Sequence, residues 1–324
     1  MKNWIVIFSI CTTLSPWALG APNETLLNTI EKEKTPFLET LKSLVSIESG
    51  SRDREGLDQI STLIYKKLEG LGGQVQFIEP GEGLYKMYDT PERPGRMVKA
   101  EFKGTGSKKI LLIAHMDTVY LRGMLAKQPF RIDQDRAYGL GIADDKQGIA
   151  LILHTLETLK KTGFSGYGKI TVLINGDEEI SSPAARSYFA KLGAEHDATF
   201  SCESSQAKSD RVALTTAGIG AVNLNLTGKA SHAGSSPELG RNALEELSFQ
   251  IQQMRDLSDP KEGVKMNWTL ASAGTNRNVI PSVASASADV RFLTKEGFDI
   301  IEKKVRERLK TQQIPEVKID VSFE

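Results

Sequence analysis

Residues 169–183 read "KITVLINGDEEISSP". The run from Ile170 to Ile174 is β-branched and apolar, and it is bounded by Gly168 and Gly176. A short run that is apolar on both faces reads as a buried strand of the kind found between helical layers. Three adjacent acids follow, Asp177, Glu178 and Glu179, and then "SPAARSYFAKLG", which reads as a helix. Buried strand, acidic turn and helix together decide for an α/β layer. They also raise a question, because adjacent carboxylates repel one another and no base follows until Arg186.

The surrounding sequence repeats that alternation. "TPFLETLKSLV" (35–45) is an amphipathic pattern with Pro36 near the expected helix start, and a second helix spans roughly 55–70 and stops at "GLGG". "QVQFIEP" reads as a strand and residues 80–96 as a loop. "RMVKAEFKGTGSKKILLIAHMDTV" reads as a hairpin that turns at Gly104–Lys109 and runs into a buried strand. "DDKQGIALILHTLETLKK" reads as a helix and "DATFSCE" as a further strand. The pattern changes near residue 215. From there strands at "GAVNLNLTGKA" (220–230), near 264–273, near 284–293 and at "EVKIDVSF" (316–323) alternate with helices near 242–257 and 296–312. This is β-α-β-β-α-β, the split pattern of a ferredoxin-like sandwich. The expected domains are 21–214 and 215–324, preceded by residues 1–20.

Those first residues have the layout of a secretory signal peptide: Lys2, an apolar stretch, then small residues at Ala18 and Gly20, with cleavage expected after Gly20. Export to the periplasm or the exterior follows as an expectation. No later stretch of about 18 apolar residues exists to span a membrane. Lys+Arg and Asp+Glu both total 41, so no net basic field points to nucleic acid. The only cysteines are Cys11 and Cys202, so the chain without its signal has no partner for an internal disulfide.

Four polar clusters sit at strand ends of the first domain, where ligands of open α/β sheets gather. His115 and Asp117, in "LLIAHMDTVY", are two apart and face the same way if strand geometry continues. Asp117 then suits the orienting acid of a ligating imidazole, or both are simply a polar strand end. Asp144 and Asp145, in "GLGIADDKQG", are either a helix cap or carboxylate ligands. Glu178 and Glu179 form the third cluster. Glu203, in "TFSCESSQ", is the fourth, and its neighbour Cys202 reads as core. One imidazole with several carboxylates is a donor set that zinc accepts and that manganese or cobalt also tolerates.

The ordered set "HMDTVYLRGMLAKQPF", "YGLGIADDK", "NGDEE", "GKASHAGSSPELGRNAL", "NWTLA", "NVIP" and "ADVRF" resembles the dinuclear zinc exopeptidases and deacylases. That family includes the glutamate carboxypeptidases, aminoacylase, peptidase T and succinyl-diaminopimelate desuccinylase, and the glutamate carboxypeptidases are the nearest likeness. The resemblance implies a zinc-exopeptidase catalytic domain with a mixed, largely buried sheet, and a lid that forms a homodimer. It implies two zinc ions per subunit. His115 would ligate one with Glu203, Asp117 would orient His115, Asp144 would bridge both ions, and Glu179 would ligate the second. A cis peptide is implied between Asp144 and Asp145. Glu178 would be the general base on the attacking water, and His232 would enter the partner's site to stabilise the oxyanion. By residue type alone, His232 reads as a solvated loop histidine. Asn278 and Arg291, with Arg211 nearby, would hold the terminal carboxylate of a peptide or small-molecule substrate. His154 and His196 match no site and read as structural or surface residues.

Two departures accompany the resemblance. Gln147 stands where a glycine is common. The family's chain also returns from the lid with a last zinc-ligating histidine and a Gly-rich substrate loop, whereas this sequence ends at Glu324. The expectation is a fragment or truncated product whose second zinc lacks a ligand. The implied activity is hydrolysis of the amide bond to a C-terminal glutamate in folate-like or N-acyl substrates. The alternatives are deacylation of another N-acyl amino acid or a dipeptide, or an inactive dimeric remnant.

Overall fold

The computed structural model describes residues 24–81, 83–87, 90–205 and 212–324. The signal-peptide reading of 1–20 and the substrate role of Arg211 lie outside them. The chain divides into two compact units, one ending at Ser204 and one beginning at Ser205.

In the first unit, helices α1 (Glu24–Val45), α2 (Arg54–Gly70), α3 (Gln147–Lys161) and α4 (Arg186–Glu195) accompany strands β1 (Gln74–Ile78), β2 (Gly95–Lys103), β3 (Lys109–His115), β6 (Lys169–Gly176) and β7 (Ala198–Ser201). A small antiparallel pair, β4 (Arg131–Asp133) and β5 (Arg136–Tyr138), stands apart. The main sheet has the order β1-β2-β6-β3-β7. β6 pairs antiparallel with β2 and parallel with β3, so the sheet is mixed. Alternation along β6 divides its side chains between two cores. Ile170, Val172 and Ile174 meet residues of α1, α2 and α3 on one face, while Leu173 meets Leu111, Ala185 and Leu192 on the other.

Two readings of the sequence are corrected here. β2 and β3 are not a hairpin, because β6 lies between them. Every residue of β6 after Lys169 is buried, and a strand apolar on both faces takes the centre of a sheet. The 104–108 connection instead crosses the end of β6, where Gly104 N–H donates to Gly168 and Gly106 N–H to Tyr167. The second correction concerns α1, which starts at Glu24 with Pro36 in its interior. Proline removes one helical N–H. The turn upstream is nevertheless anchored by buried Glu33, which binds His154 at 2.8 Å and Lys161 at 2.6 Å.

The second unit holds β8 (Gly218–Thr227), α5 (Ala243–Gln253), β9 (Val264–Ala273), β10 (Val283–Phe292), α6 (Lys295–Arg308) and β11 (Lys318–Phe323). Its sheet is antiparallel throughout, in the order β11-β8-β10-β9, the arrangement the split β-α-β pattern requires. Among the described residues, no helix is long and apolar enough to cross a membrane.

Ile174 is fully buried at the centre of the first core. Ile174→Ala is expected to lower stability by about 2–4 kcal/mol, read as a lower urea midpoint with an unchanged m-value.

Candidate metal centre

β3, β6 and β7 run parallel as neighbours, so their carboxyl ends open on the same side. His115 closes β3, Glu178 and Glu179 follow β6 in a 3-10 turn (Glu178–Ile180), and Glu203 follows β7. Asp144 comes from the turn that leads into α3. Two triads result, His115 with Glu178 and Glu203, and His115 with Asp144 and Glu179. Within each, ligand atoms lie within 4.8 Å of one another. His115 Nε2 is 3.0 Å from Asp144 Oδ1, 3.4 Å from Glu203 Oε1 and 3.9 Å from Glu178 Oε2. The imidazole is buried while those carboxylates keep solvent access, so an ion would be gripped from beneath and reached from above.

Asp117 lies under this cluster and is fully buried. Its Oδ1 is 3.4 Å from His115 Nδ1 and accepts from Glu178 N–H at 2.9 Å. Its Oδ2 accepts from Glu179 N–H at 3.1 Å and from the Ser51 hydroxyl at 2.8 Å. The Asp117 carbonyl also lies 3.1 Å from His115 Nδ1, so one residue holds the ring of His115 through its carbonyl and carboxylate together, and its carboxylate holds the backbone that carries the two glutamates.

Asp177 secures the other side of the same turn. It accepts from Asn175 Nδ2 at 2.9 Å, from Ala184 N–H at 2.6 Å and from Ala185 N–H at 3.3 Å. Ser181 and Ser182 follow at φ 69° and 53°, a left-handed pair without glycine. Their N–H groups return to the carbonyls of Glu178 and Asp177, each at 2.7 Å. Outliers of this kind persist only where the surroundings over-determine them. With the backbone held so tightly, the adjacent side chains of Glu178 and Glu179 diverge into different triads.

The two aspartates of "GIADDK" also part. The peptide bond between Asp144 and Asp145 is cis. Neither aspartate caps the following helix, whose first turn has no side-chain cap. Asp144 faces His115, whereas buried Asp145 accepts from the His115 N–H at 3.3 Å. Lys146 is buried beside them and donates to the Ile47 carbonyl at 2.7 Å.

The electrostatics fit a cation. Burial, then the charges of Asp144, Asp117 and Glu178, push Glu179 up to about 7. Burial and the charge of Glu203 push Asp145 up to about 8, and burial raises Glu178 as well. Burial works against a charged His115, but hydrogen bonds to Asp117 and Glu203 outweigh it and push the imidazole up to about 12. A metal ion bound by His115 would take the place of that proton and offset the repulsion among the acids. One nitrogen and several carboxylate oxygens are donors that suit zinc.

The remaining residues singled out from the sequence lie elsewhere. His154 is engaged at both nitrogens, by Glu33 at 2.8 Å and Thr40 at 3.0 Å, and His196 by the Leu192 carbonyl at 2.6 Å and Thr171 at 2.8 Å. Cys202 packs on the first core, and burial pushes its thiol up to about 11. In the second unit, Ala233 N–H donates to the Asn278 carbonyl at 2.9 Å, which brings the His232 and Asn278 loops together. His232 Nδ1 accepts from the N–H groups of Gly234 and Ser235, each at 3.1 Å. Backbone N–H can only donate, so the ring proton of neutral His232 is on Nε2. Arg291 lies near the far end of β10 and binds Asp289 through Nε at 3.0 Å. At the usual rise per strand residue, roughly 25 Å of β10 separates it from the Asn278 end.

Ser51, Asn175 and Asp177 were not identified from the sequence as supports of this centre. Asp177 carried a signal, since it is the first acid of "DEE" and lies two residues after Asn175 on one strand face. Ser51, in a Gly-containing loop, carried none.

Two family profiles match the sequence, one described as peptidase family M28 over residues 97–237 and one as a peptidase dimerisation domain over residues 214–317. The sequence is 42% identical over 289 residues to carboxypeptidase G2 of Pseudomonas sp. (strain RS-16), a match that covers 89% of this chain and 68% of that protein. The chain thus spans about two thirds of that relative's length. Among solved structures, a dipeptidase from Saccharomyces cerevisiae aligns with a TM-score of 0.72 at 14% identity, over 93% of this chain and 79% of that one. An M20 family metallo-carboxypeptidase from Sulfolobus solfataricus aligns with a TM-score of 0.64 at 17% identity, over 88% of this chain and 77% of that one. At such identities the two structures speak to the fold.

Asp177→Ala would strand the buried N–H groups of Ala184 and Ala185. Its expected cost is about 2–5 kcal/mol, measured by urea unfolding, with faster hydrogen exchange at those two amides than in the unsubstituted protein.

Proposed function

The chain belongs to the M20 peptidase family, and on that premise we propose that it is a zinc-dependent carboxypeptidase that removes a C-terminal glutamate from folate-like or N-acyl substrates. The observation that carries this reading is the convergence of His115, Asp144, Glu178, Glu179 and Glu203 at the open ends of parallel strands. The 42% identity to carboxypeptidase G2 supports the carboxypeptidase class. His115, Asp144, Glu179 and Glu203 would hold the metal, which when bound polarises the scissile carbonyl and acidifies a water.

The chain's own groups do the rest. Glu178 takes the proton of the attacking water and passes it to the leaving amine. Its raised proton affinity, caused first by burial, suits a carboxylate that must hold a proton in transit. His232 donates from Nε2 to the oxygen that gains charge, the donor state its turn imposes. Arg291 pairs with the substrate's terminal carboxylate through its planar fork, assisted by Asn278 and Arg211. The match of residues 214–317 to a peptidase dimerisation domain supports a homodimer. The layout of residues 1–20 supports export with their removal.

Glu178→Gln is expected to keep zinc and lose about 10²–10⁴-fold in kcat on an N-acyl glutamate. Bound zinc is read by elemental analysis and turnover by a single assay. Activity close to that of the unsubstituted protein would remove Glu178 from the base role. The specificity is read from kcat/KM on matched N-acyl glutamate and N-acyl leucine substrates. A higher value for glutamate is expected, and because both substrates share the terminal carboxylate that Arg291 pairs with, the difference reads the side-chain carboxylate alone. Equal values would instead favour a general N-acyl amino acid deacylase.

A further inference from the structure

We propose that Ser51 is a positioning residue of the metal centre. The inference rests on the metal reading above and names a residue outside the ligand set. Ser51 belongs to the connection between α1 and α2, more than sixty residues before the first ligand-bearing strand ends. Its hydroxyl donates to Asp117 Oδ2 at 2.8 Å, and both residues are buried. The other donor to Oδ2 is the N–H of Glu179, and Oδ1 takes the N–H of Glu178 and faces His115 Nδ1. Without the Ser51 hydroxyl, the Asp117 carboxylate keeps the N–H groups of Glu178 and Glu179 but loses its hydroxyl donor, which loosens its hold beside the imidazole.

The loop that carries Ser51 is built as a buttress. Ser49 carbonyl accepts from Thr118 N–H at 2.9 Å, and Ser51 N–H donates to the Thr118 carbonyl at 3.1 Å. Gly50 lies between them, where a Cβ would stand 2.4 Å from the Tyr120 carbonyl oxygen. Glu48 accepts from the N–H groups of Gly123 at 2.9 Å and Leu125 at 2.8 Å. The Ile47 carbonyl accepts from Lys146, two residues beyond Asp144. The loop thus braces the end of β3 and the Asp144 turn, and Ser51 is its point of contact with the carboxylate beneath the ligands.

The test is zinc affinity of the full chain, measured by competition with a chromophoric chelator. Ser51→Ala is expected to lose about tenfold, at the low end of what loss of an outer partner does to metal affinity. Ser51→Thr, which restores the hydroxyl, should stay within about threefold of the unsubstituted protein. In an Asp117→Asn background, Ser51→Ala should add less than about twofold, because its route to the metal is gone. Thermal unfolding in a chelator separates a fold defect from a site defect. If Ser51→Ala does not fold, Ser51→Cys keeps the volume with a weak donor and should show an intermediate loss. Unchanged affinity of the folded Ala or Cys variant, or the same tenfold loss on Asp117→Asn, overturns the assignment. An unsubstituted chain that takes up no zinc overturns the metal reading itself, and the assignment with it.

Discussion

The centre of the first unit depends on one buried carboxylate. Asp117 is fully enclosed and receives Ser51, Glu178 N–H and Glu179 N–H, with His115 Nδ1 facing it. Those donors come from the α1–α2 loop, from β3 and from the turn after β6. A buried charge is tolerated only when its lone pairs are met, so any arrangement of these segments that left Asp117 short of donors would be strongly disfavoured. The same requirement fixes where the side chains above it project. The stability of the fold and the geometry of the site are here the same set of hydrogen bonds.

This constraint answers why two glutamates can be adjacent at the mouth of a buried strand. The backbone of Glu178 and Glu179 is occupied with Asp117 below, and the following turn is drawn back by Asp177. Their side chains must leave in different directions, one toward Glu203 and one toward Asp144. The repulsion that remains shows in Glu179, raised to about 7 by burial and then by its acidic neighbours. A cation would relieve that repulsion, and the acids are arranged around the imidazole that would share it.

Much of this was legible in the sequence because periodicity and strand-end chemistry are local signals. The runs Ile170–Ile174 and Val283–Phe292 declare themselves by composition and alternation. His115, Glu178, Glu179 and Glu203 stand where such runs stop, and Asp144 stands in a Gly-rich turn before a helix. Their roles at a metal came from the resemblance of the ordered motifs, since each cluster alone also had a plain structural reading. Strand pairing is not local, so two apolar strands joined by a short turn read as a hairpin although β6 separates them. The extension of α1 past Pro36 rests on the contact of Glu33 with α3, which no property of the α1 sequence reveals. Ser51 was illegible for the same reason. A serine in a turn has many local uses, and only the fold brings it to a carboxylate sixty-six residues away.

The second unit poses a geometric condition of its own. His232 and Asn278 lie on loops bonded to each other, whereas Arg291 is near the opposite end of β10. A strand of that length keeps the two sites roughly 25 Å apart, far beyond the reach of one amino-acid substrate. Under the proposed function, one copy of this unit therefore cannot offer Asn278 and Arg291 to the same terminal carboxylate. If both residues serve one substrate, they come from different protomers, and the dimer is then a requirement of the chemistry. The Nε2 proton of His232 is held in place by Gly234 and Ser235 within its own turn, so the donor is ready before any partner approaches. A catalytic group that must cross to another subunit gains from such a turn, because its tautomer is settled locally and only its position depends on assembly.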